Sequence, residues 1–240
     1  VAPPRVYTTQ PLAPDLLIEL DQGARQHLTR ALRMSAGDAL VLFNGDGLCY
    51  PAELMVVDKK SVTARVNDRV DTDVESPLAI HLGIAISRGE RMDWVVQKAT
   101  ELGVTTISPL NSDRSGVKLP GERADRKLRH WQQIAISACE QCGRNRIPII
   151  ARPAVLSTWL ATVTAELRLV LHHRAEPSPA HPTPGSVALL VGPEGGLSPG
   201  EIAAAEQADF TALALGPRVL RTETAPLAAL AILQARWGDM

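Results

Sequence analysis

VALLVGPEGGLSPGEI, residues 187–202, is the stretch whose reading decides the fold. Its first five residues form an unbroken apolar run, the pattern of a strand covered on both faces, as in parallel sheets. Gly192-Pro193 ends that run, and Ser198-Pro199-Gly200-Glu201 opens a helix with three signals. Serine is the N-cap, proline takes the first helical position, and glutamate three residues after the cap closes a capping box. Strand, glycine turn and helix within sixteen residues make half of a parallel α/β unit. Ligands of open α/β sheets sit at the carboxyl ends of strands, so residues 192–196 are a candidate site as well as a turn.

The same alternation continues on both sides. Residues 80–86 read as an apolar, β-branched strand, and 92–102 have helical spacing that stops at Gly103. Residues 104–108 are strand-like, and 122–142 form a long helix with Trp131, Ile134, Ala135 and Ala138 on one face. Residues 167–171, apolar apart from Arg168, are a further strand, followed by a proline-rich loop over 173–185. Residues 210–215 are the last strand and 224–237 the last helix, so the chain from Leu78 onward is α/β with a mainly parallel sheet.

Ahead of it, residues 16–20, 39–44, 48–57 and 61–66 are short strands divided by turns, with one helix around 24–32, which suggests a small barrel. The polar stretch DTDVESP, residues 71–77, separates the two patterns and sets domains at 1–72 and 76–240.

With 240 residues, 45% hydrophobic and 21% charged, the chain is neither disordered nor fibrous. It has no apolar run approaching a membrane span, and residues 1–10 lack a signal-peptide core, so a soluble cytoplasmic protein is expected. Three cysteines argue against a disulfide framework. Cys139 and Cys142 form a C-x-x-C at a helix end, but with Cys49 as the only other cysteine no four-cysteine metal site can form. His172-His173 has no further ligand at a helpful spacing, so no metal is expected. The net charge of −1 excludes only a uniformly basic protein, because charge is unevenly spread. Residues 88–146 carry 11 Lys/Arg against 7 Asp/Glu, whereas residues 1–74 carry 8 against 10. The basic middle therefore suits an RNA partner.

A second glycine-bearing turn, residues 215–225 (LGPRVLRTETA), follows the last strand. Neither turn fits a dinucleotide or P-loop fingerprint. Glu223 reads either as a helix N-terminal acid or as a proton acceptor, and Thr222 and Thr224 as caps or site residues. Glu194 either faces a ligand or fixes its own turn.

GPEGGLSPGEI (192–202) and LGPRVLRTETAPLAAL (215–230) closely resemble the two signature loops of the RsmE family. HLTRALRMSAGDALVLFNGDG (27–47), RGERMDWVVQKATELGVTTISPL (88–110), RSGVKL (114–119) and EQCGRNRIP (140–148) resemble its other motifs in order along nearly the whole chain.

That resemblance implies an α/β fold: a C-terminal SPOUT trefoil-knot methyltransferase domain behind a small N-terminal PUA-like β-barrel that binds RNA. It implies methylation of N3 of a uridine, uridine 1498 by the usual numbering, in 16S rRNA of the small ribosomal subunit. The cofactor would be S-adenosyl-L-methionine and the enzyme a homodimer. Its knot loops would hold the cofactor with Leu215, Val219 and Leu220 around the adenine and Gly192 and Gly196 near the ribose and methionine. Leu171, His172, Pro193, Glu194, Gly195, Gly216, Arg221, Thr222 and Ala225 would complete that site.

Uridine N3 carries a proton at neutral pH, so catalysis needs a group that removes it or one that stabilises the charge developing on the flanking carbonyl oxygens. Glu223 and Arg221, with Thr224 beside them, are the candidates. RNA contacts are expected from Arg30 and Arg33 in the barrel, and from Arg88, Arg114, Lys118, Arg144 and Arg146 in loops. Two departures stand out: Arg88 replaces a usual lysine, and Gly116 a usually bulkier residue. Two other readings remain: a SPOUT enzyme for another rRNA or tRNA base, and a non-catalytic ribosome-assembly factor.

Overall fold

A computed structural model describes residues 2–58, 60–72, 74–117, 119, 121–172 and 183–240. The chain forms two compact units: the segment up to Glu75 together with Cys139–Ile147, and Ser76–Ala138 together with Pro148–Met240.

In the first unit, β1 (Arg5–Tyr7), β2 (Leu17–Glu19), β3 (Ala39–Phe43), β4 (Tyr50–Val57) and β5 (Val62–Val66) form a sheet in the order β1-β3-β4-β5-β2. Alternation fixes its faces: Val62, Ala64 and Val66 are buried while Arg65 is exposed. The helix expected over 24–32 is divided. Asp21 caps α1 (Gln22–Gln26), its Oδ1 accepting from Ala24 N at 2.8 Å, and the chain then widens into a π turn over His27–Ala31. Leu28 of that turn is fully buried.

Cys139–Ile147 belongs to this unit although it follows the long helix in sequence. Glu140 Oε1 accepts from Tyr7 N at 3.0 Å. Asn145, only 2% exposed, donates to Thr72 O at 3.0 Å and accepts from Arg5 Nη2 at 2.6 Å. Arg144, expected in a loop within reach of phosphates, is instead 5% exposed, and its Nη2 and Nε lie 2.6 and 3.0 Å from Glu75 Oε2. Its charge is used in holding the segment to the rest of the unit.

The second unit contains β6 (Ala79–Ala85), α2 (Arg91–Glu101), β7 (Thr106–Asn111), α3 (Gly121–Cys142), β8 (Ile149–Ile150), β9 (Ala154–Val155), α4 (Leu156–Thr162), β10 (Leu167–Leu171), β11 (Ser186–Val191), α5 (Pro199–Gln207), β12 (Thr211–Leu213) and α6 (Ala225–Trp237). The last turn of α3 is the part counted with the first unit. All described strand pairs here are parallel, in the order β12-β10-β11-β6-β7-β8, with β9 also on β7. The central strands are apolar apart from His81 of β6 and Ser186 at the start of β11, because both faces are covered. Since β12 lies beyond β10 and the next helix, α6, packs against α2, the chain must cross the carboxyl ends of β10 and β11.

The sequence pattern did not show α4, a seven-residue helix with no side-chain cap bond. It is held by packing. Trp159 lies on Gly83, where a Cβ would stand 2.5 Å from the indole. Trp159 Nε1 donates to His81 Nε2 at 3.2 Å, and Ser108 Oγ is 2.8 Å from the same nitrogen. Burial lowers the His81 pKa to about 4.

Two outcomes follow from this packing. Arg144→Met leaves the Glu75 carboxylate without its guanidinium and should cost about 3 kcal/mol in urea unfolding, while the salt dependence of RNA binding stays that of the wild type. Between about pH 6.5 and pH 4 the unfolded chain binds a proton at residue 81 that the folded chain excludes. Stability contributed by neutral His81 is therefore complete above that interval and is lost as pH falls through it. The urea midpoint should drop more between pH 7 and pH 4.5 in the wild type than in His81→Gln.

Candidate functional site

The crossing chain gathers three loops around a cavity of about 460 Å³ at the carboxyl ends of β10, β11 and β12. Leu171 and His172 come from the first loop, and His172 N donates to Leu213 O at 3.0 Å, which joins it to the β12 edge. Gly192 to Leu197 come from the second. The third supplies Leu215, Gly216, Arg218, Val219, Leu220, Thr222 and Ala225.

Glycine has a specific task at two of these positions. Gly196 at φ +70° and Gly216 at φ +100° adopt backbone that side-chain-bearing residues seldom take, and neither has an atom within 4 Å of where a Cβ would stand. The result is open space walled by backbone and by apolar Leu171, Val191, Leu197 and Leu215, with polar groups at Glu194 and Thr222. A flat heterocycle with a polar tail fits those walls: apolar faces take the ring, and backbone N–H and C=O groups take its edges.

A buried carboxylate holds the second loop in place. Glu201, 8% exposed, accepts from Ser198 N and from Asp113 N, each at 2.8 Å. Ser198 Oγ donates to Asp113 Oδ2 at 2.6 Å, so the capping box of α5 also anchors the loop after β7. In that loop Arg114 Nη1 donates to Gly195 O at 3.0 Å and lines the cavity.

Leu171, His172, Gly192, Pro193, Glu194, Gly195, Gly196, Leu215, Gly216, Val219, Leu220, Thr222 and Ala225, all expected around a cofactor, line this cavity. Arg221 does not: its side chain is 81% exposed, and Nη1 lies 3.9 Å from Glu223 Oε1. Glu223 is 22% exposed and belongs to a neighbouring cleft with Trp94 and Ile134. Thr224 begins α6 without a side-chain cap bond.

Arg91, which sequence reasoning passed over, connects two loops. Its Nη1 is 2.6 Å from Glu194 Oε1 and its Nε 3.9 Å from Glu223 Oε2. At the start of an amphipathic helix nothing local distinguishes it from a solvated charge. Arg114 was expected to touch RNA, and its place in the cavity wall also depends on a partner far away in sequence.

Among the other expected RNA contacts, Arg30, Arg33, Arg88 and Arg146 are exposed. Arg33 has φ +54°. Arg88 Nε donates to Gly116 O at 3.2 Å, so the two departures from the family pattern meet in space. Lys118 lies outside the described residues. Cys139 is buried, which pushes its thiol up to about 12, and its Sγ is 3.5 Å from Arg146 O.

Residues 74–234 match the model of an RNA methyltransferase domain, and residues 20–67 that of an RNA methyltransferase PUA domain. The chain is 36% identical to the ribosomal RNA small subunit methyltransferase E of Buchnera aphidicola subsp. Schizaphis graminum, over 99% of this chain and 98% of that one. It is 30% identical to the Bacillus subtilis protein of the same name, over 86% and 85%. A ribosomal RNA small subunit methyltransferase E from Neisseria gonorrhoeae, solved bound to S-adenosylmethionine, superposes with TM-score 0.93 at 40% identity over the full length of both chains. A putative methyltransferase from Legionella pneumophila, solved with bound cofactor SAM, gives TM-score 0.96 at 44% identity, again over both full chains.

A PUA domain followed by a SPOUT-type parallel α/β domain, with a glycine-walled cavity where its last strands end, is thus accompanied by full-length likeness to named members, and the chain belongs to the RsmE family of RNA methyltransferases.

Proposed function

We propose that this protein transfers the methyl group of S-adenosylmethionine to N3 of one uridine of 16S rRNA, uridine 1498 by the usual numbering. It would act as a cytoplasmic homodimer on the small ribosomal subunit. The observation that carries the reading is the cavity made by the two glycine loops, in a family with members solved bound to this cofactor. When bound there, the cofactor supplies an electrophilic methyl group on a sulfonium.

The chain's own residues then have three tasks. Gly196 and Gly216 leave room for the ligand against backbone, Gly192 lets Leu197 pack close in the cavity wall, and Leu215, Val219 and Leu220 present apolar surface to the ligand's ring. Glu223 accepts the N3 proton of the uracil ring. Arg91 and Arg221, each 3.9 Å from Glu223, provide fixed positive charge where the carbonyl oxygens of the ring become negative. Arg221 extends into solvent, which suits a group that meets its substrate from outside the cavity.

Aromatic residues are 3% of the chain, too few for a broad stacking platform, so recognition rests on RNA shape and one extruded base. Ala229, Leu230 and Leu233 of α6 are buried within the unit itself, which leaves the exposed Trp94 and Ile232 as apolar surface for a second copy.

Small subunits from a strain lacking the gene, incubated with enzyme and S-adenosylmethionine, should yield 3-methyluridine on nucleoside mass spectrometry; any other methylated base overturns the target. Glu223→Ala should lower turnover about 100-fold with cofactor affinity by calorimetry unchanged, and an undiminished rate would remove Glu223 from the chemistry.

A further inference from the structure

Beside the cofactor cavity lies a second cleft of about 630 Å³, which shares Arg114, Glu194 and Gly195 with it and is otherwise bounded by Arg88, Gly89, Glu90, Arg91 and Gly116, three arginines against two glutamates. Three guanidinium groups line it, two bonded to backbone carbonyls and one to a carboxylate. Arg88 Nε donates to Gly116 O at 3.2 Å, Arg114 Nη1 to Gly195 O at 3.0 Å, and Arg91 Nη1 to Glu194 Oε1 at 2.6 Å. A guanidinium has five N–H donors, so each bond fixes the group while leaving donors for a ligand. Anchoring also removes rotamer freedom that an exposed arginine would otherwise lose on binding.

Gly116 decides whether Arg88 can lie there. A Cβ at this position would stand 2.5 Å from Arg88 Nε and 3.1 Å from its Cζ, closer than real side chains come. The backbone of Gly116 is not in the left-handed region, so what its missing Cβ provides is the space in which the Arg88 guanidinium lies, and a side chain here would displace that guanidinium.

We propose that this cleft is the subsite for a phosphodiester of the RNA strand adjoining the target nucleotide, with Gly116 as the positioning residue that admits the Arg88 guanidinium. The assignment rests on the RNA-methylation reading above. Planar donor forks match phosphate oxygens in pairs, and phosphate contacts set the register of a nucleic acid without reading its bases. The wall shared with the cofactor cavity places that phosphate next to the methyl donor. Since Arg114 lines both spaces and bonds the Gly195 carbonyl, RNA contact and order in the cofactor loop support one another.

The test measures binding of small subunits from a strain lacking the gene to the full-length protein by filter retention over a range of salt. Calorimetry with S-adenosylmethionine runs in parallel. Arg88→Gln and Gly116→Val should each weaken binding about tenfold and lower the slope of log K against log salt by about 0.7, with cofactor affinity unchanged. The double variant should be no weaker than either single, because one change already removes the contact. Gly116→Ala meets the same steric conflict and serves if valine unfolds the loop. Wild-type slopes in the single variants, or losses that multiply in the double, overturn the proposal. Wild-type protein that binds subunits but forms no 3-methyluridine would sink the functional reading alone and leave the binding comparison to decide the cleft. Wild-type protein that fails to bind subunits would overturn both.

Discussion

The strand that follows β11 in the chain pairs with β10, on its far side, and everything after it has to return across the carboxyl ends of both strands to reach α2. In the SPOUT fold this return passage is the trefoil knot. It brings three loops, separated by some twenty residues each in sequence, to the walls of one cavity. Gly192 meets a demand for close approach, since a Cβ there would stand 3.1 Å from Leu197 N, whereas Gly196 and Gly216 are called for by left-handed backbone with open space beside it. Parallel pairing contributes the rest: with both sheet faces covered, strand ends are the accessible surface where loops can be varied for chemistry.

Charged groups hold these loops in register. Glu201 caps its own helix and also accepts from Asp113 N, so one buried carboxylate ties the second loop to the loop after β7. Arg114 then reaches from that loop to Gly195, and Arg91 reaches from α2 to Glu194 and Glu223. Exposed pairs such as Arg91–Glu194 add little stability in water. Their value lies in orienting donors around a site that must accept both a cofactor and a nucleotide.

Much of the architecture was legible because it is written in local physics. Continuous apolar runs marked the parallel strands, and the capping box at Ser198 appears in the structure with both of its hydrogen bonds. The glycine turns were visible as candidate sites from their position after such strands. The failures share one cause. Arg144 looked like a loop cation because Glu75 is nearly seventy residues away, and α4 was hidden because Gly83 and His81, which hold Trp159, lie far back in the chain on β6. The family resemblance put Arg221 among the cofactor residues, whereas its side chain stands in solvent outside the cavity lining.

By itself the sequence determined the longer strands, the capped start of α5, the change of pattern near residues 71–77 and the two glycine loops, since periodicity, capping and backbone freedom act over a few residues, while β1, β8, β9 and α4 were not legible in it. Tertiary structure decided which charges are exposed, which are neutralised, and which meet. Arg88 and Gly116 read separately are an exchanged cation and a missing side chain; in the fold the second is the space that the first occupies. Desolvation and steric exclusion depend on what the rest of the chain packs against a residue, and no pattern along the chain contains that information.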